Sequence, residues 1–150
     1  MVKIIIVGSI IEQNDKILMV QENEYPYKGM WSLPTGHKNK NETIKNGIIR
    51  ETKEETGLDI KIKGLLPIYV TDTKIIYRAA AKIIGGKIEA DGYEINDVEY
   101  MTLDEILSLK EDQLRCYKQA RQALMDYKNG KIYKLPPIIK IEEKQKVYTR

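Results

Sequence analysis

Gly36-His37-Lys38-Asn39-Lys40-Asn41-Glu42 leads into Thr43-Ile44-Lys45-Asn46-Gly47-Ile48-Ile49-Arg50-Glu51-Thr52-Lys53-Glu54-Glu55-Thr56, and Gly57-Leu58 closes the stretch. No proline interrupts Glu42 to Thr56, and Ile44, Ile48 and the methyl of Thr52 recur every four residues, the stripe of a helix facing a core. Gly57 predicts its C-cap. Glu51, Glu54 and Glu55 are related by three and four positions, so they share a helix face. Like charges four residues apart repel by about 0.2 to 0.5 kcal/mol when nothing lies between them. A divalent cation reverses that sign, and Mg²⁺ takes carboxylate oxygens together with water and phosphate oxygens. Crowded carboxylates also push one pKa upward, which suits a base. Arg50, four residues before Glu54, can hold a carboxylate in a bidentate pair. Gly47 in mid-helix costs about 1 kcal/mol relative to alanine, which is sensible where a helix must press closely onto a sheet.

Upstream, Lys3–Ile11 and Lys16–Gln21 are aliphatic runs separated by Glu12-Gln13-Asn14-Asp15, which predicts two strands and a turn. Glu24–Gly36 mixes Pro26, Gly29, Trp31, Pro34 and Gly36, a loop passage with a large aromatic anchor. Downstream, Ile60–Val70 and Thr73–Ile84 read as strands, with Gly85-Gly86 turning into a further strand at Lys87–Ala90. A short strand over Val98–Leu103 leads to a helix from Asp104, and a longer helix runs from Leu114 through Tyr117, Ala120, Leu124 and Tyr127 to Gly130, with Cys116 on its apolar side. The order is mixed α/β, and no internal repeat is present.

The 150 residues suit one domain with one core. Apolar residues at 42% and charged residues at 31% exclude a disordered, collagen-like or membrane-spanning chain. With 25 Lys+Arg against 22 Asp+Glu the net charge is +3, too small an excess to make nucleic acid the expected partner. Cys116 is the single cysteine, so an internal disulfide and a thiolate metal cage are both excluded and a reducing compartment is expected. The run Ile4–Ile11 is far shorter than the roughly 20 apolar residues that cross a bilayer, and no small-residue cleavage site follows it. It reads as a buried strand of a cytoplasmic protein. The basic residues concentrate in the tail, where Lys131–Arg150 carries +4, and Leu135-Pro136-Pro137-Ile138-Ile139 is expected to strap that tail to the domain or to a second subunit.

Gly36-x5-Glu42-x7-Arg50-Glu51-Thr52-Lys53-Glu54-Glu55-Thr56-Gly57-Leu58 resembles the Nudix box of MutT-like proteins, G-x5-E-x7-R-E-U-x-E-E-x-G-U with U aliphatic. A match by chance is on the order of one in a million for a chain of this composition. Trp31-Ser32-Leu33-Pro34-Thr35-Gly36 resembles the W-x-L-P-x-G lead-in of the same family. Two positions depart from the pattern: Thr52 stands for an aliphatic residue, which predicts slightly looser packing, and Asn41 stands where a glycine commonly precedes the glutamate. The resemblance implies a Nudix-type α/β/α sandwich with a mixed β-sheet over one domain, residues 1–150. It also implies hydrolysis of a nucleoside diphosphate linked to another moiety, with Mg²⁺ (or Mn²⁺) as cofactor and a small-molecule nucleotide as partner. Glu51, Glu54 and Glu55, with the backbone carbonyl of Thr35, would hold metal, and Arg50 would orient Glu51. A base would come from the glutamates or from Glu94 in a later loop, while Glu42 would buttress the loop. The family often forms dimers, so a homodimer is among the assemblies implied.

Tyr25, Tyr27 and Trp31 are the candidates to stack on a nucleobase, Trp31 being equally suited to anchor the core. His37 is expected to be an exposed loop residue. Cys116 has no histidine partner nearby in sequence and is not expected to be a nucleophile. Ile6-Val7-Gly8-Ser9-Ile10 lacks the second and third glycines of a dinucleotide fingerprint, and no G-x4-G-K-[ST] occurs. The box does not choose a substrate. A nucleoside triphosphate or modified dNTP is the first expectation for so short a chain. ADP-ribose or another nucleotide sugar, a dinucleoside polyphosphate, an RNA end and a non-catalytic nucleotide-binding module are the alternatives.

Overall fold

The computed structural model describes residues 3–134 and 136–142. The opening hairpin forms as its turn chemistry dictates: β1 (Ile4–Gln13) and β2 (Lys16–Glu22) are joined by Asn14 and Asp15, both at positive φ. Short strands β3 (Trp31–Ser32) and β4 (Thr35–His37) follow and pair antiparallel with β2 and β1, respectively. Helix α1 (Ile44–Thr56) begins at Thr43, whose side chain accepts from the Asn46 amide, and ends at Gly57 in the left-handed conformation with φ 80°. The helix therefore starts two residues after Glu42, which stays in the loop. Strands β5 (Leu58–Leu65), β6 (Ile68–Val70), β7 (Lys74–Gly86) and β8 (Ile95–Thr102) complete most of the sheet framework. Helices α2 (Leu103–Leu107) and α3 (Tyr117–Lys128) precede a last short strand β9 (Ile138–Lys140).

The sheet framework is mixed: β1 pairs parallel with β7 and β6 parallel with β9, while the other pairings are antiparallel. Strand alternation divides the core in two. Ile10, Ile76 and Ala80 point to the side that carries Ala120, Ala123 and Leu124 of α3. Val7, Ile11, Ala79 and Ala81 point to the side that carries Ile48 of α1. This is the α/β/α sandwich of the sequence reading.

Several boundaries differ from those the sequence suggests. Ile60–Val70 is two strands, because the chain leaves the β7 ladder after Leu65 and rejoins it at Tyr69. Lys87–Ala90 is not a strand: Gly86, at φ 78°, turns the chain, and the Glu89 amide donates to Thr56 O at the end of α1. Leu114 and Cys116 lie outside α3, Leu114 bridging to Trp31 and Cys116 sitting at the N-cap with φ 53°. Thr52 does not loosen the packing, since its hydroxyl meets Ser9 Oγ at 2.8 Å and donates to Ile48 O. The start of the tail is strapped down through β9, while Leu135, Glu143, Lys144, Lys146 and Arg150 lie outside the described residues. Among the described residues no helix is long and apolar enough to cross a membrane.

One buried polar contact joins the sheet to α3. Tyr69, fully buried, donates from its hydroxyl to Asp126 Oδ2 at 2.7 Å, and Asp126 is 1% exposed. Tyr69→Phe leaves that carboxylate short of a donor and should lower unfolding free energy by about 1 to 3 kcal/mol, read from urea denaturation. An unchanged midpoint would show that Gln122 and Lys131, which also contact Asp126, satisfy it unaided.

Candidate active site

The helix end, the lead-in loop and the sheet edge converge because of two glycines and one arginine. Gly36 has no room for a side chain: a Cβ there would fall on the Glu51 carboxylate. Gly47 lets α1 lie close to the sheet, where a Cβ would come within 3.3 Å of Val7 Cγ2 and 3.0 Å of Glu42 Oε1. Arg50 binds the loop to the helix. Its Nε and Nη2 donate to the two oxygens of Glu42 at 2.9 and 2.7 Å, Nη2 also to His37 O at 2.9 Å, and Nη1 to Glu51 at 2.8 Å and Glu54 at 3.1 Å. Glu42 accepts the Asn39 amide as well, so it buttresses the loop as the resemblance implies.

The glutamates divide. Glu51 and Glu55 are buried and line a cleft of about 400 Å³, together with Thr35, Gly36, Tyr25, Tyr27 and Glu94. Glu54, with its side chain 55% exposed, lies against Arg50 and is not among the lining residues. The Glu55 carboxylate accepts the Thr35 amide at 2.8 Å, which fixes the lead-in loop against the helix. Burial pushes the Glu51 carboxyl up from its ordinary value, with the Arg50 guanidinium opposing, and pushes Glu55 up further, with the Thr35 amide opposing. Glu42 moves the other way: the Arg50 guanidinium and the Asn39 amide hold it down at about 2.

Tyr25 and Tyr27 both reach the cleft, Tyr25 being 59% exposed and Tyr27 stacked on the Arg115 guanidinium at 4.0 Å. Trp31 is not among the lining residues and packs against the core instead. His37 is exposed at the cleft mouth. Glu94 is held at the cleft by its backbone, its carbonyl accepting the Asn23 amide at 2.8 Å. The sequence reading missed Glu22, Arg78, Arg115 and Gln119, which also line the cleft. Glu22 is aimed inward where the register of β2 shifts at Gln21/Glu22, and burial raises its carboxyl. Arg78 had a signal, as the single charge within the apolar run Ile75–Ala81. Arg115, Glu22 and Gln119 carried none, being ordinary polar residues near element ends.

The donor set suits a hard divalent cation. Glu51, Glu55 and the Thr35 carbonyl offer oxygens only, and two buried carboxylates with raised proton affinity favour a positive charge between them. Among the described residues no three acidic, histidine or cysteine side chains are gathered tightly enough to hold a metal alone. The fold and site thus define an α/β/α protein in which two buried carboxylates on one helix face line a cleft of about 400 Å³.

Comparison with known proteins agrees. The NUDIX domain model matches residues 2–121. An ADP-ribose pyrophosphatase of Methanocaldococcus jannaschii is 33% identical over 130 residues, which cover 83% of this chain and 74% of that relative. Nudix hydrolase 8 of Arabidopsis thaliana is 30% identical over 67% of this chain, which spans only 29% of the plant protein. Among solved structures, a NUDIX hydrolase from Nitrosomonas europaea superposes with a TM-score of 0.78 at 27% identity, covering 88% of this chain and 93% of that one. A bifunctional NMN adenylyltransferase/ADP ribose pyrophosphatase from Francisella tularensis, solved with AMP and a Mn ion, gives a TM-score of 0.53 at 25% identity over 68% of this chain and 34% of that one. The chain belongs to the Nudix hydrolase family, whose members depend on a divalent metal and act on small nucleotide substrates.

The Arg50–Glu42 clamp has a pH signature. A carboxyl lowered from 4.5 to about 2 on folding adds stability that is fully present above pH 4.5 and is lost as pH falls through about 2. The melting-temperature difference between wild type and Glu42→Gln should therefore be constant above pH 5 and shrink steadily towards pH 2. A difference that holds across this range would mean that the charge of Glu42 is immaterial.

Proposed function

We propose that the protein is a Mg²⁺- or Mn²⁺-dependent pyrophosphohydrolase that cleaves the diphosphate link of a nucleoside diphosphate joined to a second moiety, with ADP-ribose the first-choice substrate. The observation that carries the reaction class is the convergence of Glu51 and Glu55 beneath Thr35 and Gly36, inside a cleft that also holds Glu94. The observation that favours ADP-ribose over a nucleoside triphosphate is the similarity to the M. jannaschii relative, which covers most of both chains.

In this reading Glu51, Glu55 and the Thr35 carbonyl hold the metal, and Glu54 joins them only by leaving Arg50. The metal, when bound, offsets charge on the phosphate oxygens and acidifies a water. Arg50 keeps the Glu51 carboxylate fixed between the loop and the helix, so that no reorganisation is needed when the diphosphate arrives. Glu94, exposed and lining the same cleft, would accept a proton from water attacking phosphorus, while Tyr25 and Tyr27, also lining the cleft, would border the nucleoside. The partner is a small nucleotide. A homodimer and a cytoplasmic location complete the proposal.

The test is product release from ADP-ribose, nucleotide sugars, dinucleoside polyphosphates and nucleoside triphosphates with Mg²⁺ or Mn²⁺. ADP-ribose should give AMP and ribose 5-phosphate, chelation should abolish turnover, and Glu51→Gln and Glu55→Gln should each cut kcat at least 100-fold. Glu94→Gln should cut kcat 10- to 1000-fold with little change in KM, within the usual range for a general base. Turnover of triphosphates alone would move the assignment to that class. Binding without turnover of any substrate would make the protein a binding module.

A further inference from the structure

The segment that carries Glu94 has no ladder to hold it. Residues 87–94 lie outside any strand, between β7 and β8, and Glu94 is exposed while lining the cleft. None of the ion pairs among the described residues includes its carboxylate. Its surroundings push it away. Burial is the largest cause of the raised Glu22 and Glu51 carboxyls, but the negative charge of Glu94 contributes to both, so Glu94 and these two groups repel. An exposed segment with few buried contacts opens at little cost, and such repulsion would carry its carboxylate into solvent. One residue opposes this. Asn23 donates from its backbone amide to Glu94 O at 2.8 Å, and from Nδ2 to Tyr93 O at 3.1 Å and, by a longer bond, to Gly92 O at 3.4 Å. A side-chain amide nitrogen carries two hydrogens and can serve both carbonyls, so one residue fastens three consecutive ones.

The end of β2 is shaped to place Asn23 there. β2 loses register with β8 at Gln21/Glu22, where Gln21 faces Asp97 and Glu22 faces Ile95, so Asn96 is an extra residue. Such a bulge re-aims the end of a strand. Ile95 is fully buried and anchors the far end of the segment, while Asp91 Oδ1 accepts the Tyr93 and Ile95 amides at 2.8 and 2.9 Å and keeps the turn compact. The turn is thus a preformed unit, and Asn23 fastens it beside the cleft-lining Glu22 and Glu24. We propose that Asn23 is a positioning residue for the hydrolysis: its three hydrogen bonds to the 92–94 backbone hold the Glu94 carboxylate at the cleft against the charge of Glu22 and Glu51. A base must lie within hydrogen-bond reach of the water it deprotonates, and a misplacement of about 1 Å can cost on the order of 100-fold in rate. The proposal rests on the reading of Glu94 as that base.

A double-mutant cycle on the preferred substrate tests the clamp. Asn23→Ala removes the side-chain donor and should lower kcat roughly five- to fiftyfold, with KM and Mn²⁺ affinity within about twofold of wild type. In a Glu94→Gln background the same change should cost no more than about twofold, because no base is left to position. A residue that merely supports the fold would lower kcat by the same factor in both backgrounds, and that result overturns the proposal. So does an Asn23→Ala variant whose kcat stays within about twofold of wild type while Glu94→Gln loses activity, which defeats the clamp and leaves the base assignment standing. Should Asn23→Ala not melt cooperatively, the cycle is run with Asn23→Ser, which keeps a polar side chain one atom shorter than the reach to Nδ2. Failure of the underlying reading looks different. If wild type hydrolyses nothing in the substrate panel, or Glu94→Gln retains the wild-type kcat, the base assignment falls and takes the positioning role with it.

Discussion

The guanidinium of Arg50 is the point on which the site depends. It contacts Glu42 in the loop, the carbonyl of His37 at the end of β4, and Glu51 and Glu54 one and four residues further along its own helix. A single ion pair at a surface adds little stability, but a planar fork satisfied on several sides fixes geometry. Here it sets the distance between a loop and a helix that share no backbone ladder. Glu51 is thereby held under Gly36, where only a residue without a side chain leaves it room. Glu55, one turn on, is locked by the Thr35 amide. Two carboxylates are thus kept buried next to each other, an arrangement that is unfavourable in isolation and becomes favourable once a cation neutralises it.

The sandwich explains how such a site is held rigid. Alternation along β1 and β7 sends Val7 and Ala79 toward α1 and Ile10 and Ala80 toward α3, so each helix packs on its own layer of the same strands. The Glu51 and Glu55 carboxylates come from α1, and another wall of the cleft comes from the start of α3 and the β7 residues facing it. A ligand in the cleft therefore touches both layers. The buried Ser9–Thr52 hydroxyl pair and the Tyr69–Asp126 bond tie each helix to the strands by a polar contact inside an apolar interface.

What could be read from the sequence was whatever depends on local spacing. The α1 stripe, the Gly57 cap and the grouping of Arg50 with its glutamates follow from a helical period of 3.6, and they carried the family with them. The strand at Lys87–Ala90 failed because a Gly-Gly pair signals a turn without saying whether the chain returns to the sheet. Gly86 instead directs it to the end of α1. The helix beginning at Leu114 failed because the left-handed Cys116 resets the period, and a cysteine gives no hint of that. Glu54 shares a sequence face with Glu51 and Glu55, yet the arginine four residues before it draws it outward. The inner wall of the cleft was hidden for a different reason: Arg78 stood out only as a charge in an apolar run, Glu22 and Gln119 gave no signal, and the three lie on elements far apart in the chain that only the fold brings together.

In the proposed function the buried pair Glu51 and Glu55 holds a divalent cation. Titration of Mn²⁺ into the protein, followed by the loss of the free-ion electron paramagnetic resonance signal, tests it without reference to any substrate. The expected result is saturable binding that Glu55→Gln weakens at least tenfold in a variant that still melts cooperatively. Mn²⁺ binding that is undiminished in Glu51→Gln and Glu55→Gln would contradict it and move the metal to another part of the molecule.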